Sequence, residues 1–95
     1  MYRDDHDGHR ERLVRYCNRL LDDGLAIGSA GNMSVRAGDE VLISPSGIPY
    51  RDMDPGDICV IGMDGTQRGG GEPSSETPMH LAVYAATLAL SLIHI

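Results

Sequence analysis

The chain has 95 residues and a formal charge of −6, with no lysine and no basic cluster beyond Arg10 and Arg12. That balance argues against nucleic acid and anionic membranes as partners, since both attract clustered Lys and Arg. Four tyrosines stand with no Phe or Trp, which is thin for a self-sufficient core in so short a chain.

Residues 1–8 are polar and rich in Asp and His, and are expected to be disordered. His6 and His9 with Asp4, Asp5 and Asp7 have metal-ligating chemistry, but nothing in that stretch would hold a coordination geometry, so it reads as a solvated terminus. From residue 9 to 23 the apolar positions Leu13, Tyr16, Cys17, Leu20 and Leu21 recur at three and four. This spacing predicts one buried face of a helix, with Gly24 ending it. Residues 33–36 (MSVR) and 41–44 (VLIS) read as strands around an Ala-Gly-Asp-Glu turn. Residues 52–57 contain Asp-Pro-Gly and predict a turn or a single helical turn. Residues 58–62 (ICVIG) read as another strand, and 63–65 turn the chain toward a connector of three glycines at 69–71. That connector is expected to be flexible or to close on a ligand.

A second helix is expected to start near residues 75–78 and to run to about 89, with Pro78 in the first turn, where its missing N–H costs little. The apolar run 81–95, broken by Thr87, Ser91 and His94, is shorter than a membrane span needs and reads as buried helix. Cys17 falls on the apolar helix face and Cys59 in a strand. Both read as small core residues of a reduced, cytoplasmic protein, and a disulfide between them stays open. With no repeat and no linker, residues 9–89 read as part of one α/β domain. The last six residues, LSLIHI, resemble translated sequencing-adapter sequence and are set apart as a suspect tail whose native origin stays open.

Three segments carry chemistry. Residues 71–84 (GEPSSETPMHLAVY) set Ser74 and Ser75 directly before Glu76 at an expected helix start. Hydroxyls and unpaired N–H groups at a helix N-terminus suit a phosphate. A carboxylate beside that anion site is placed to move protons on a phosphorylated substrate. Residues 28–34 (GSAGNMS) and 44–50 (SPSGIPY) join small residues to hydroxyls or an amide, as in loops that let backbone N–H groups approach an anion. Taken singly, Ser-Ser-Glu is a helix cap and Pro-Ser-Gly a turn.

Taken together and in this order, the three segments resemble the class II aldolase/adducin family over residues 13–87, its L-fuculose-phosphate aldolase members above all. The resemblance implies a mixed, largely antiparallel sheet flanked by helices, of which this chain supplies an N-terminal part. It also implies a metal-dependent aldolase that cleaves a ketose 1-phosphate to dihydroxyacetone phosphate and an aldehyde. The substrate phosphate would sit among Gly31 and Asn32 of the first loop, Ser46 and Gly47 of the second, and Ser74 and Ser75 of the third. In a chain without lysine, these neutral donors would hold the dianion. Glu76 matches the catalytic carboxylate, which also binds the divalent metal, typically zinc.

The chain departs from the pattern in its histidines. The family supplies three to the metal, including a His-x-His pair that is absent here. His94 stays unassigned, and His80 reads as a packed or hydrogen-bonded helix histidine with Tyr84 on the same face. The 95-residue chain alone is therefore expected to be inactive. Ser-Ser-Glu, where pentose-phosphate epimerases of the family have Ser-Ser-Asp, puts aldolase ahead of ribulose-5-phosphate 4-epimerase and methylthioribulose-phosphate dehydratase. A non-catalytic adducin-like assembly module is the reading of another class. The family further implies a homotetramer with active sites at subunit interfaces.

Overall fold

The structure is a computed structural model and describes residues 6–24, 32–87 and 92–94. Helix α1 (Asp7–Asp22) buries Leu13 and Cys17, four residues apart on one face. Burying a side chain such as Leu13 contributes about 2 kcal/mol. The helix ends where the amides of Asp23 and Gly24 return to the carbonyls of Arg19 and Leu21, Gly24 taking a positive φ. It begins two residues before the periodicity suggests. His6 meets the Glu40 carboxylate at 2.9 Å, and Arg68 donates to the same carboxylate at 2.9 Å. Residues 6–8 are thus tied to the sheet, which corrects the expected disorder there; residues 1–5 lie outside the described residues.

Five strands form one sheet: β1 (Met33–Ala37), β2 (Glu40–Ile43), β3 (Cys59–Gly62), β4 (Gln67–Gly69) and β5 (Leu92–His94), in the order β4-β3-β2-β1-β5. Every pairing among them is antiparallel, with Val35 opposite Leu42 and Val41 opposite Ile61. Helix α2 (Thr77–Ala86) connects β4 to β5 in sequence, and two 3-10 turns, Tyr50–Asp52 and Pro55–Asp57, lie between β2 and β3.

The sheet is covered on both sides. Leu42, Val60 and Met33 pack with Leu13, Cys17, Tyr50, Met53 and Ile58 in the main core under α1. Ile43, Cys59 and Ile61 form a smaller cluster on the opposite face with Leu81 of α2. Covering both faces explains why β2 and β3 are buried at every position and read as unbroken runs such as VLI and CVI. The expected flanked, largely antiparallel α/β sheet is the fold observed.

Three local expectations are corrected. The glycine connector is built into the sheet where flexibility was one expectation: Gly69 belongs to β4, opposite Val60, and Gly70 presses on the backbone at Ile58 and Cys59. A Cβ at Gly70 would lie 2.1 Å from the Ile58 carbonyl oxygen, and its φ is +88°, so only glycine fits. Helix α2 stops at Ala86, because Thr87 is extended, with φ −138° and ψ 99°. The apolar run does not continue as helix throughout, since residues 92–94 pair with β1 as β5. No helix among the described residues is long and apolar enough to cross a membrane. Cys17 and Cys59 are both free and buried.

Candidate active site

Hydrogen bonds join the three segments that the sequence singles out. Ser44, just after β2, donates its amide to the Met33 carbonyl at 2.9 Å and accepts the Met33 amide on its hydroxyl at 3.1 Å. This exchange fixes the turn at 45–47 beside Asn32. On its other flank, Pro45 bridges Pro73 and the Ser46 amide donates to the Glu72 carbonyl at 2.7 Å. The turn thus lies against the segment that enters α2. Gly47 has φ +78°, a left-handed conformation that favours glycine.

The α2 entry is braced from within. The Ser74 hydroxyl accepts the Glu76 amide at 3.1 Å, and Thr77 returns both its hydroxyl (2.7 Å) and its amide (3.1 Å) to the Ser74 carbonyl. Ser74 therefore braces the turn just before the helix, whose cap position is Glu76 and makes no side-chain cap bond, and its hydroxyl proton remains available. The amides of Gly47 and Ser75 have no hydrogen-bond partner among the described residues, while the antiparallel bridge of Pro45 with Pro73 turns the Ser74 amide onto the Ser44 carbonyl. Two N–H donors, with the hydroxyls of Ser46, Ser74 and Ser75, therefore belong to two adjoining segments. Ser46, Gly47 and Ser75 are exposed, while Ser74 and Glu76 are half-buried. The Glu76 carboxylate has no hydrogen-bond partner among the described residues. Gly31 lies outside the described residues.

Asn32 is buried and joined to α2 by His80, whose Nε2 meets the Asn32 side-chain oxygen. On the other side of the ring, Nδ1 lies 2.6 Å from the Ser34 hydroxyl, which is 2.9 Å from the Tyr84 hydroxyl. Burial lowers the pKa of His80 from its ordinary value, and the nearby Glu76 charge opposes that only in part. Burial raises the pKa of Tyr84, so the phenol keeps its proton at neutral pH. The expectation of a hydrogen-bonded helix histidine is met. Ser34 was present in the small-residue motif but had no assigned role. Its signal was the alternation of β1, which puts residue 34 on the same face as residue 32, the face that α2 covers.

Among the described residues, no group of three or more His, Cys, Asp or Glu side chains could hold a metal ion. Both ring nitrogens of His80 are engaged, so Glu76 gains no second ligand from it. The side chain of His94 lies outside the described residues. The described residues therefore do not make a metal site. One open concavity, lined by Tyr16, Arg19, Leu20, Asp23 and Met33, lies along α1 and includes none of Asn32, Ser46, Gly47, Ser74, Ser75 and Glu76.

The chain has relatives among known proteins. The sequence profile described as Class II Aldolase and Adducin N-terminal domain matches residues 11–95. The chain belongs to the class II aldolase/adducin family. This family member is 43% identical over 76 residues to the 5-methylthioribulose-1-phosphate/5-deoxyribulose-1-phosphate aldolase of Rhodospirillum rubrum, covering 80% of this chain and 34% of that protein. It is 40% identical over 73 residues to the L-fuculose phosphate aldolase of Escherichia coli K12, covering 77% and 34% respectively. A solved L-fuculose 1-phosphate aldolase superposes with a TM-score of 0.86 at 31% identity, covering 99% of this chain and 44% of that one. The chain spans about a third of the length of these two curated relatives.

Proposed function

We propose that this chain forms the phosphate-binding and proton-transferring part of a longer class II aldolase that cleaves a ketose 1-phosphate to dihydroxyacetone phosphate and an aldehyde. The observation that carries the reading is the joining of Asn32, the 44–47 turn and the 74–76 helix entry around donors that lack partners, next to a carboxylate that also lacks one. Asn32, Ser46, Gly47, Ser74 and Ser75, with Gly31 beyond the described residues, would share the phosphate. A dianion suits this set because amides and hydroxyls at a helix start offer converging partial positive charge. Glu76, four residues before His80, would take up and return the proton as the carbon–carbon bond breaks and re-forms.

The class II aldolase family generally depends on a divalent metal, and zinc is the ion proposed. When bound, it would supply Lewis-acid stabilisation of the developing oxyanion. Its histidine ligands must come from residues other than those described here. A cytoplasmic homotetramer with sites at subunit interfaces is part of the same proposal.

Relatives named for 5-deoxyribulose 1-phosphate and for L-fuculose phosphate match at similar identity, so the proposed substrates are short ketose 1-phosphates with either tail. The test is an assay of the full-length protein with 5-deoxyribulose 1-phosphate, L-fuculose 1-phosphate and L-ribulose 5-phosphate. Release of dihydroxyacetone phosphate from either ketose 1-phosphate is expected. Turnover of ribulose 5-phosphate alone would favour the epimerase, and turnover of none would favour a non-catalytic assembly module.

A further inference from the structure

We propose that Tyr84, Ser34 and His80 form a directed hydrogen-bond relay that positions Asn32, turning its amide –NH2 toward the substrate phosphate and its oxygen away; this role rests on the phosphate site proposed above. Four groups in line, Tyr84, Ser34, His80 and Asn32, connect the last turn of α2 to the residue that precedes β1. Three are nearly or fully enclosed: Ser34, His80 and Tyr84 are each 0% exposed. In such a place each proton must have an acceptor, which fixes the direction of the chain.

The direction starts at Tyr84. Among the described residues its hydroxyl has one hydrogen-bond partner, the Ser34 hydroxyl. If it accepted from Ser34, its own buried proton would have no acceptor. Tyr84 therefore donates to Ser34, and the single proton of Ser34 goes to His80 Nδ1. A neutral imidazole that accepts at Nδ1 carries its proton on Nε2. That N–H donates to the Asn32 oxygen, as the contact is arranged. The Asn32 –NH2 is left without a partner among the described residues. Turning the amide over would set –NH2 against the His80 N–H and present a carbonyl oxygen to an anion, so both ends oppose the flip. His80 is thus a positioning residue: it touches no substrate atom and acts through Asn32.

The test starts from the 15N-labelled chain. Long-range 15N–1H correlation is expected to show His80 as a neutral ring protonated at Nε2 alone; a proton on Nδ1 would overturn the relay. Titration with inorganic phosphate, followed on the Asn32 side-chain amide, then reads the consequence. Asn32→Asp keeps an acceptor for His80 but removes the donor, and should weaken phosphate binding about tenfold or more, the scale of one charge-assisted hydrogen bond. His80→Leu should weaken it about threefold to tenfold, and His80→Gln, which restores an N–H, should recover part of the loss. In the full-length protein, His80→Leu should raise KM with kcat little changed, because the phosphate is held alike in ground and transition states.

Wild-type affinity in His80→Leu beside a weakened Asn32→Asp would overturn the relay. Wild-type affinity in Asn32→Asp, or no phosphate response in the wild-type chain, would instead remove the phosphate assignment beneath it. Should His80→Leu fail to fold, Ser34→Ala takes its place. It is expected to give a mixture of His80 tautomers and weaker phosphate binding, and an unchanged ring proton would overturn the relay.

Discussion

The amide of Ser46 donates to the carbonyl of Glu72 at 2.7 Å. This bond spends the Ser46 N–H on structure and leaves the next one, on Gly47, as the amide the turn can offer an anion. It also holds the 44–47 turn edge to edge with the strand-like approach to α2, so two loops far apart in sequence become one surface. The third loop joins through His80 and Asn32.

Glu76→Gln separates proton transfer from binding. The Glu76 carboxylate has no hydrogen-bond partner to lose among the described residues, so stability should change by less than about 0.5 kcal/mol. In the full-length protein, kcat should fall about 100-fold to 10,000-fold, the range for a general acid–base group. The 95-residue chain alone, whose described residues make no metal site, should show no retro-aldol turnover in a coupled assay of dihydroxyacetone phosphate release.

Gly70→Ala tests the corrected view of the glycine connector. The new methyl would meet the Ile58 carbonyl oxygen at 2.1 Å with φ at +88°, so clash and backbone strain add. A loss of about 3 kcal/mol is expected, read as a lower urea midpoint with an unchanged m-value. Gly47→Ala has φ +78° but open space for its Cβ, and should cost only about 1 kcal/mol.

The two cysteines should be inert in the folded protein. Burial pushes the Cys17 thiol up to about 12 and the Cys59 thiol up to about 11, against an ordinary value of 9.0. A thiol-reactive chromophore at pH 8 should therefore label neither until denaturant is added. Because both folded values lie above the unfolded one, the stability they contribute is complete below pH 9 and is lost as pH rises through 11 and 12.

His80 has the opposite pH signature. Burial depresses its folded value below 6.5, so its contribution is complete above pH 6.5 and is lost as pH falls through the folded value. Urea midpoints should drop between pH 7.5 and pH 5, and the His80→Gln variant should show a shallower drop.

The sequence revealed elements with strong periodicity and hid those set by tertiary context. Leu13, Cys17 and Leu20 marked α1, and VLI and CVI marked strands covered on both faces. β4 was missed because Gln67-Arg68-Gly69 is a short, polar edge strand, without apolar alternation to mark it. β5 was read as helix because a short apolar run has no period that separates buried helix from buried strand. Nothing like a capping glycine follows Ala86, so the end of α2 was invisible. The helix start at Ser74, Ser75 and Glu76 was legible from its chemistry. The part played by Ser34 was not, because a serine on a strand reveals its partner only when the helix across from it is in place.

The most direct test of the account is a backbone-amide NMR titration of the chain with dihydroxyacetone phosphate. The amides of Gly47 and Ser75 and the Asn32 side chain should shift together, with one shared dissociation constant. Shifts confined to the arginines of α1, or separate constants for the three segments, would contradict a single phosphate site.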